Sequence, residues 1–312
     1  MRLLAAGNTV PRARGPIVAT VGVFDGVHLA HQQLIRTTVH YARQWRGTSV
    51  VVTFDPDPAF VLDPHHAQPA LMSLAERLSH IKALGVDWVL VIPFTRQFSR
   101  ITPTQFIRRV LTQRLHASAL VVGRDFLFGH HRQGNLKVLQ QFGPRYGVRI
   151  IPVPLMIRGG MPVSSSRIRH LIHTGHVSQS RQLLGRPPAL SGTVVQGAGR
   201  GRRLGFPTAN VRLLSHIVPP DGVYAVIVRS AHRQWRGVMN LGVRPTFGPG
   251  TLVCEVHLLG FSGTLLHRQV TIALLARLRN ERCFESPQAL VRQIQRDLTR
   301  ARRIVRTAHQ SG

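Results

Sequence analysis

Apolar positions fall into two regimes along the chain. From residue 17 to about 155, continuous apolar runs at 17–24, 48–54, 87–94, 118–126 and 148–155 alternate with stretches at 31–45, 73–84, 102–115 and 134–146, where apolar residues recur at helical spacing. Short apolar strands separated by helices predict a doubly wound parallel sheet covered on both faces, an α/β fold. Ser73 and Thr102 stand where N-caps are needed, each followed closely by an acid, a glutamine or a proline. At 185–192 the run GRPPALSG closes the helical pattern. Strand-like segments then follow one another at 191–199, 222–230, 234–242, 251–260 and 268–278, which predicts a small antiparallel β-barrel. Leu290, Val291, Ile294, Leu298 and Ile304 line one face of a closing helix at 286–305, with Ser286 as N-cap and Pro287 in its first turn. Two domains are expected, 1–184 and 185–312.

Composition narrows the class. With 312 residues, 43% of them hydrophobic, the chain can fill two modest cores. No apolar run approaches the roughly 20 residues of a membrane span, and MRLLAAGNTVPRARG lacks the apolar core of a secretory signal, so a cytoplasmic protein is expected. Cys254 and Cys283 form no CxxC and read as free, mostly buried thiols. The formal charge of +29 comes almost wholly from arginine, since Lys82 and Lys137 are the only lysines. Such a field attracts polyanions. The arginines are scattered rather than gathered, which reads as compositional drift and not as a surface for a specific nucleic acid. A basic nucleic-acid-binding protein on an α/β scaffold is the alternative of another class, and the oligomeric state stays open.

The candidate chemistry lies in loops. The run VATVGVF breaks at Asp25-Gly26, and His28 and His31 follow three residues apart, at the start of a helix. Gly22 and Gly26 allow close backbone approach, and free N–H groups at a helix start favour an anion, so phosphate is the expected guest. A metal half-site or a solvated helix face is the plainer alternative. Three further loops belong at the same edge of the sheet: Thr53-Phe54-Asp55-Pro56-Asp57-Pro58, Val122-Gly123-Arg124-Asp125-Phe126-Leu127-Phe128-Gly129, and Val163-Ser164-Ser165-Ser166-Arg167-Ile168-Arg169. In the last, hydroxyls and the Arg169 guanidinium suit phosphate oxygens. In the second half, Gly199-Arg200-Gly201-Arg202-Arg203-Leu204-Gly205-Phe206-Pro207-Thr208-Ala209-Asn210 can wrap a phosphate chain, and Thr208 and Asn210 offer neutral oxygens suited to Mg2+.

The set GVFDGVHLAHQ, TFDPDP, VVGRDFLFG and VSSSRIR resembles the FMN adenylyltransferase half of the prokaryotic bifunctional FAD synthetases, within the nucleotidyltransferases that carry His-x-Gly-His and Ser-Ser-Thr-x-x-Arg motifs. The resemblance implies ATP along the first loop, at Gly22, Phe24, Asp25 and Gly26, with His28 and His31 on phosphate oxygens. It also implies Ser165, Ser166 and Arg169 at the β/γ end, and Asp125 in the flavin and nucleotide loop. The PTAN run, DGVYA at 221–225, the segment from Asn240 to Gly248, and Glu255-Val256-His257 resemble riboflavin kinase, the partner domain of the same enzymes. That resemblance implies Glu255 as base, Mg2+ on Thr208 and Asn210, Gly199, Arg200, Gly205 and Asn240 as binding residues, and ERCFES at 281–286 on the flavin side. The expected activity is phosphorylation of riboflavin to FMN and adenylylation of FMN to FAD, each from ATP. Three positions depart from the family pattern: Ala30 for glycine, Ser166 for threonine, and Asp55-Pro56-Asp57-Pro58 for Glu-Pro-His-Pro. Ala30 and Asp57 leave open an alternative, a working kinase joined to a weak or inactive adenylyltransferase.

Overall fold

The computed structural model describes residues 1–4, 15–197, 199–215, 217–244 and 251–309, without the side chains of Arg200, Arg203, Val243, Arg244, Thr251 and residues 307–309. Contacts divide the chain into two units, Met1–Ser165 and Ser166–Gly312.

The first unit runs β1 (Arg2–Leu4), β2 (Ile17–Val21), α1 (Leu29–Gln44), β3 (Thr48–Asp55), α2 (Pro58–Leu62), α3 (Leu74–Ala83) and β4 (Trp88–Pro93). It continues with α4 (Arg96–Ser99), α5 (Pro103–Phe106), β5 (Ala117–Gly123), α6 (Leu136–Phe142), β6 (Arg149–Val153) and a hairpin of β7 (Ile157–Arg158) and β8 (Met161–Pro162). Six strands form one parallel sheet in the order β1-β4-β3-β2-β5-β6. Alternation along each strand feeds both faces. Val50, Val52 and Phe54 of β3 join Ile107, Leu111 and Leu139 in one core, while Val51 faces the other way, onto Ile35 and Val39 of α1 and Ile81 of α3. From β2 the chain builds outward through β3 and β4, then returns to lay β5 on the other flank of β2. Loops leaving β2 and β5 therefore diverge, and that switch point is where open α/β sheets make a ligand crevice.

Both predicted N-caps form full capping boxes. Ser73 Oγ accepts from Glu76 N–H and Glu76 Oε2 accepts from Ser73 N–H, and Thr102 and Gln105 do the same. The helix expected over 102–115 begins as α5 but continues as π-helical turns over Ile107–Arg114, burying Ile107, Val110 and Leu111. The helix expected over 134–146 stops at Phe142, because Pro144 has no N–H to extend it. Arg2–Leu4, not among the predicted strands, is a short strand paired with β4.

The second unit holds most of α7 (Ser165–His173), then α8 (Val177–Leu184), β9 (Ala189–Val195), α9 (Arg200–Arg203), β10 (Thr208–Leu213), β11 (Gly222–Ser230), β12 (Arg233–Arg244), β13 (Thr251–Leu258), β14 (Gln269–Arg279) and α10 (Pro287–His309). Its six strands close an antiparallel barrel in the order β10-β13-β12-β11-β14-β9. Inward residues such as Val211, Tyr224, Met239, Leu241, Cys254, Val256 and Ile272 fill the interior. The outward residues Val223, Ala225, Ile227, Ala273 and Leu275 lie against Ala301 and Val305 of α10. Each Val or Leu so covered contributes about 1.5–3 kcal/mol. β10 was not among the predicted strands; Pro207 and three polar or small residues mask its apolar alternation.

Among the described residues no helix is long and apolar enough to cross a membrane. The cysteines divide: Cys254 is buried, and burial, with the Glu255 charge second, pushes its thiol up to about 12, whereas Cys283 is exposed, contrary to the expectation for both.

Candidate active sites

The loop after β2 folds as predicted, with one difference in how the imidazoles meet. Phe24 takes a left-handed conformation (φ 55°), Asp25–Val27 make a tight turn with Gly26 at φ 80°, and His28 is the N-cap of α1 rather than a residue inside it. Its Nδ1 accepts from His31 N–H at 3.3 Å, and the two rings stack with centroids 3.5 Å apart. Accepting at Nδ1 leaves Nε2 of His28 as its donor when the ring is neutral. Burial first, then His28 and Arg77, holds the His31 pKa well below the usual imidazole range. His31 is therefore neutral at pH 7, able to donate one N–H but carrying no charge.

Gly22, Phe24, His28, Ala30, His31, Asp125, Ser164 and Ser165 line a cavity of about 310 Å³ at the switch point. A Cβ on Gly22 would stand 3.1 Å from the Phe24 ring, and one on Gly123 would stand 2.7 Å from Asp125 Oδ1, so a side chain at either position would press on a residue that lines the cavity. Ser165 Oγ donates to the Asp25 carbonyl at 2.9 Å. Asp25 itself does not line the cavity: its carboxylate is buried and accepts Leu71 N–H with both oxygens at 3.0 Å. Ser166 and Arg169 follow on α7, in the second unit.

Beside this cavity lies a larger one of about 850 Å³, walled by Phe54, Phe94, Phe98, Phe106, Phe126 and Phe128 and rimmed by His66, His130, His131 and Arg132. The two share Val21, Gly22, Phe126 and Leu127. Phe126 and Phe128, the motif pair, stack at 5.5 Å. Phe94 and Phe98, which sequence reading did not single out, pack edge-to-face or tilted against each other and against Phe54 of the Thr53–Pro58 loop. The signal was present as an aromatic at the end of each of β3 and β4, but it only becomes a site once those strands are adjacent.

In the barrel, strand register assembles the second site. Glu255 of β13 pairs with Asn210 of β10 on one side and Asn240 of β12 on the other. Because Cys254 and Val256 point inward, this row faces outward. Two residues along, Thr208 pairs with His257 on the same face. Glu255, Asn240, Thr208 and His257 line a cavity of about 710 Å³ whose far wall is the 281–286 segment and the start of α10. His257 Nδ1 donates to Pro207 O at 2.9 Å, fastening the Phe-Pro corner. Gly199 and Gly205 both take positive φ (68° and 83°), which shapes the turn around α9. A Cβ on Gly197 would collide with the Asn210 amide. In the far wall the guanidiniums of Arg279 and Arg282 lie over the Phe284 ring, at 5.5 and 4.8 Å from its centroid. Arg279 is held by the buried Asp297 at 2.9 Å, and Gln293 donates to the other Asp297 oxygen at 2.8 Å. The Arg200 side chain and the Pro245–Gly248 segment of the motifs lie outside the described residues.

The donors at Thr208 and Asn210 fit magnesium. Both are neutral oxygens on one strand face, and among the described residues no group of three His, Cys, Asp or Glu makes a closed cage. An ion held there must complete its shell with water and phosphate, as Mg2+ does.

Comparison with known proteins matches each half of the chain separately. Residues 10–167 match the family described as FAD synthetase, and residues 184–305 match riboflavin kinase. A bifunctional riboflavin kinase/FMN adenylyltransferase of Escherichia coli K12 is 37% identical over 286 residues, covering 91% of each chain. Its counterpart in Pseudomonas fluorescens is 38% identical over 296 residues, covering 95% of this chain and 94% of its own. A crystal structure from Streptococcus pneumoniae, described as a macrolide-efflux protein, is 32% identical with a TM-score of 0.86 over 92% of this chain and 94% of its own. With two family models matching in tandem and relatives aligned almost end to end, the chain belongs to the bifunctional riboflavin kinases/FMN adenylyltransferases of flavin-cofactor biosynthesis.

Proposed function

We propose that the two sites carry out consecutive steps in the cytoplasm, with the functional division at 184/185. In the barrel, Glu255 takes the proton from the ribityl 5′-hydroxyl of riboflavin as that oxygen bonds to the γ-phosphorus of ATP and ADP leaves. Asn240 and Asn210 flank the carboxylate, and Gly199, Arg200 and Gly205 wrap the phosphate chain. Magnesium held by Thr208 and Asn210 would offset charge on the transferred phosphoryl group. In the α/β unit, a phosphate oxygen of FMN bonds to the α-phosphorus of ATP and pyrophosphate leaves, with no covalent enzyme intermediate.

Here the first loop takes the nucleotide at Gly22 and Phe24, while Asp25 and Gly26 shape its turn. His28 and His31 donate N–H groups to phosphate oxygens, with Ser165 at the β/γ end and Asp125 at the flavin side. The tricyclic ring suits the aromatic cavity, which opens onto the phosphate cavity. Catalysis in this half is positioning and charge stabilisation.

The observation that carries the reading is the cross-strand row Asn210, Glu255, Asn240, because a carboxylate set between two amides beside a ring-sized cavity suits a base better than a surface acid. Incubation with ATP, magnesium and riboflavin, and separately with FMN, tests it: FMN and FAD respectively are expected. FMN accumulation without FAD selects a kinase with a weak adenylyltransferase. Against that alternative, the Asp57 carboxylate is engaged as the N-cap of α2, accepting Ala59 N–H at 2.9 Å. No specific nucleic acid is bound in this reading. Salt-sensitive DNA retention without flavin turnover would replace it.

A further inference from the structure

One buried charge in the first unit has no part in this chemistry. Arg77, one turn into α3, is 4% exposed. Its Nη1 donates to Val23 O at 2.9 Å, Thr53 Oγ1 at 3.1 Å and Phe54 O at 3.0 Å, while its Nε is buried without a hydrogen-bond partner. A buried guanidinium is costly, and an apolar side chain would fill the same space more cheaply. What this one accomplishes is a link. Val23 leads from β2 into the Phe24–Gly26 turn of the phosphate cavity, and Phe54 ends β3 as a wall of the aromatic cavity. Thr53 Oγ1 closes the same knot by donating to Val23 O at 2.9 Å. A second tie joins the same pieces: Asp25, in that turn, holds Leu71 N–H just upstream of the Ser73 cap of α3.

We propose that Arg77 is a positioning residue for FMN adenylylation, holding the nucleotide cavity and the flavin cavity in the mutual alignment that lets the FMN phosphate oxygen meet the α-phosphorus in line. The inference rests on the adenylyltransferase reading above. Arg77 touches neither cavity's occupant and acts through the ends of β2 and β3. All three bonds come from the one nitrogen Nη1, so the three-donor ammonium of lysine can replace them in part, whereas methionine can replace none. The same cation bears on His31, whose other titratable neighbour is His28. Without Arg77 the imidazole gains its proton at higher pH.

The test uses the full chain as Arg77→Lys and Arg77→Met, with FMN formation from riboflavin measured in the same samples as an internal control. Arg77→Met is expected to lower kcat for FAD formation on the order of 10²-fold, the cost of a misplacement of about 1 Å. KM for ATP and for FMN should stay within about threefold, the sign of lost transition-state alignment rather than lost binding. The kinase rate should be unchanged. Arg77→Lys should recover part of kcat and keep the acid limb of the pH profile in place, whereas in Arg77→Met that limb moves to higher pH. Wild-type kcat in both variants, or kcat falling together with ATP and FMN binding in both, overturns the assignment. Failure of the wild-type chain to make FAD from FMN would instead overturn the adenylyltransferase reading beneath it.

Discussion

Glu255→Gln separates the two activities most cleanly. The substitution keeps the shape of the side chain in its row between Asn210 and Asn240 and removes only the charge and the proton acceptor. Glu255 is half-buried on the outer face of β13, so the change should alter stability by no more than about 0.5 kcal/mol. Loss of a general base lowers the rate by about 10²–10⁴-fold, or about 2.7–5.4 kcal/mol at roughly 1.36 kcal/mol per decade. The assay follows FMN formation from riboflavin by chromatography at saturating ATP and magnesium, and FAD formation from FMN in parallel. The expected outcome is a kinase rate down by that factor with FAD formation intact. A kinase rate within about threefold of wild type would refute the role of Glu255 as base.

Gly197→Ala drives a methyl into the Asn210 amide and should raise the magnesium requirement of the kinase while leaving FAD formation alone, as a magnesium titration of both rates will report. Cys283 lies in the wall of the barrel cavity and is exposed, while the Cys254 thiol is held up to about 12; iodoacetamide at pH 8 should therefore label one thiol per native chain and block phosphorylation, with riboflavin protecting. The depressed pKa of His31 means the unfolded chain binds the extra proton first, so stability of the first unit should fall as pH drops below about 6.5, by up to about 1.4 kcal/mol per pH unit. Thermal melts between pH 5 and 7 should show that slope, and His31→Gln should flatten it.

Much of the fold was legible in sequence because its periodicities are strong. The five apolar runs of the first half became β2 to β6, and the caps at Ser73 and Thr102 formed where expected. What escaped prediction was decided by neighbours. Arg2–Leu4 becomes a strand only because β4 offers an unpaired flank, and β10 is stabilised by β9 and β13 rather than by its own pattern. The sites divide in the same way. Motif residues within a few positions of one another, such as His28 and His31, could be grouped from spacing. Arg77 and the Phe54, Phe94, Phe98 wall could not, because β3 and β4 bring them near the first loop only after the sheet forms.

The alternation along β13 has an outcome beyond architecture. Sliding that strand by a single position would swing Glu255 into the oily bore and turn Cys254 and Val256 out to water. A misthreaded barrel would therefore lose the core that keeps it folded. Proofreading of the position of Glu255 is thus built into the act of folding.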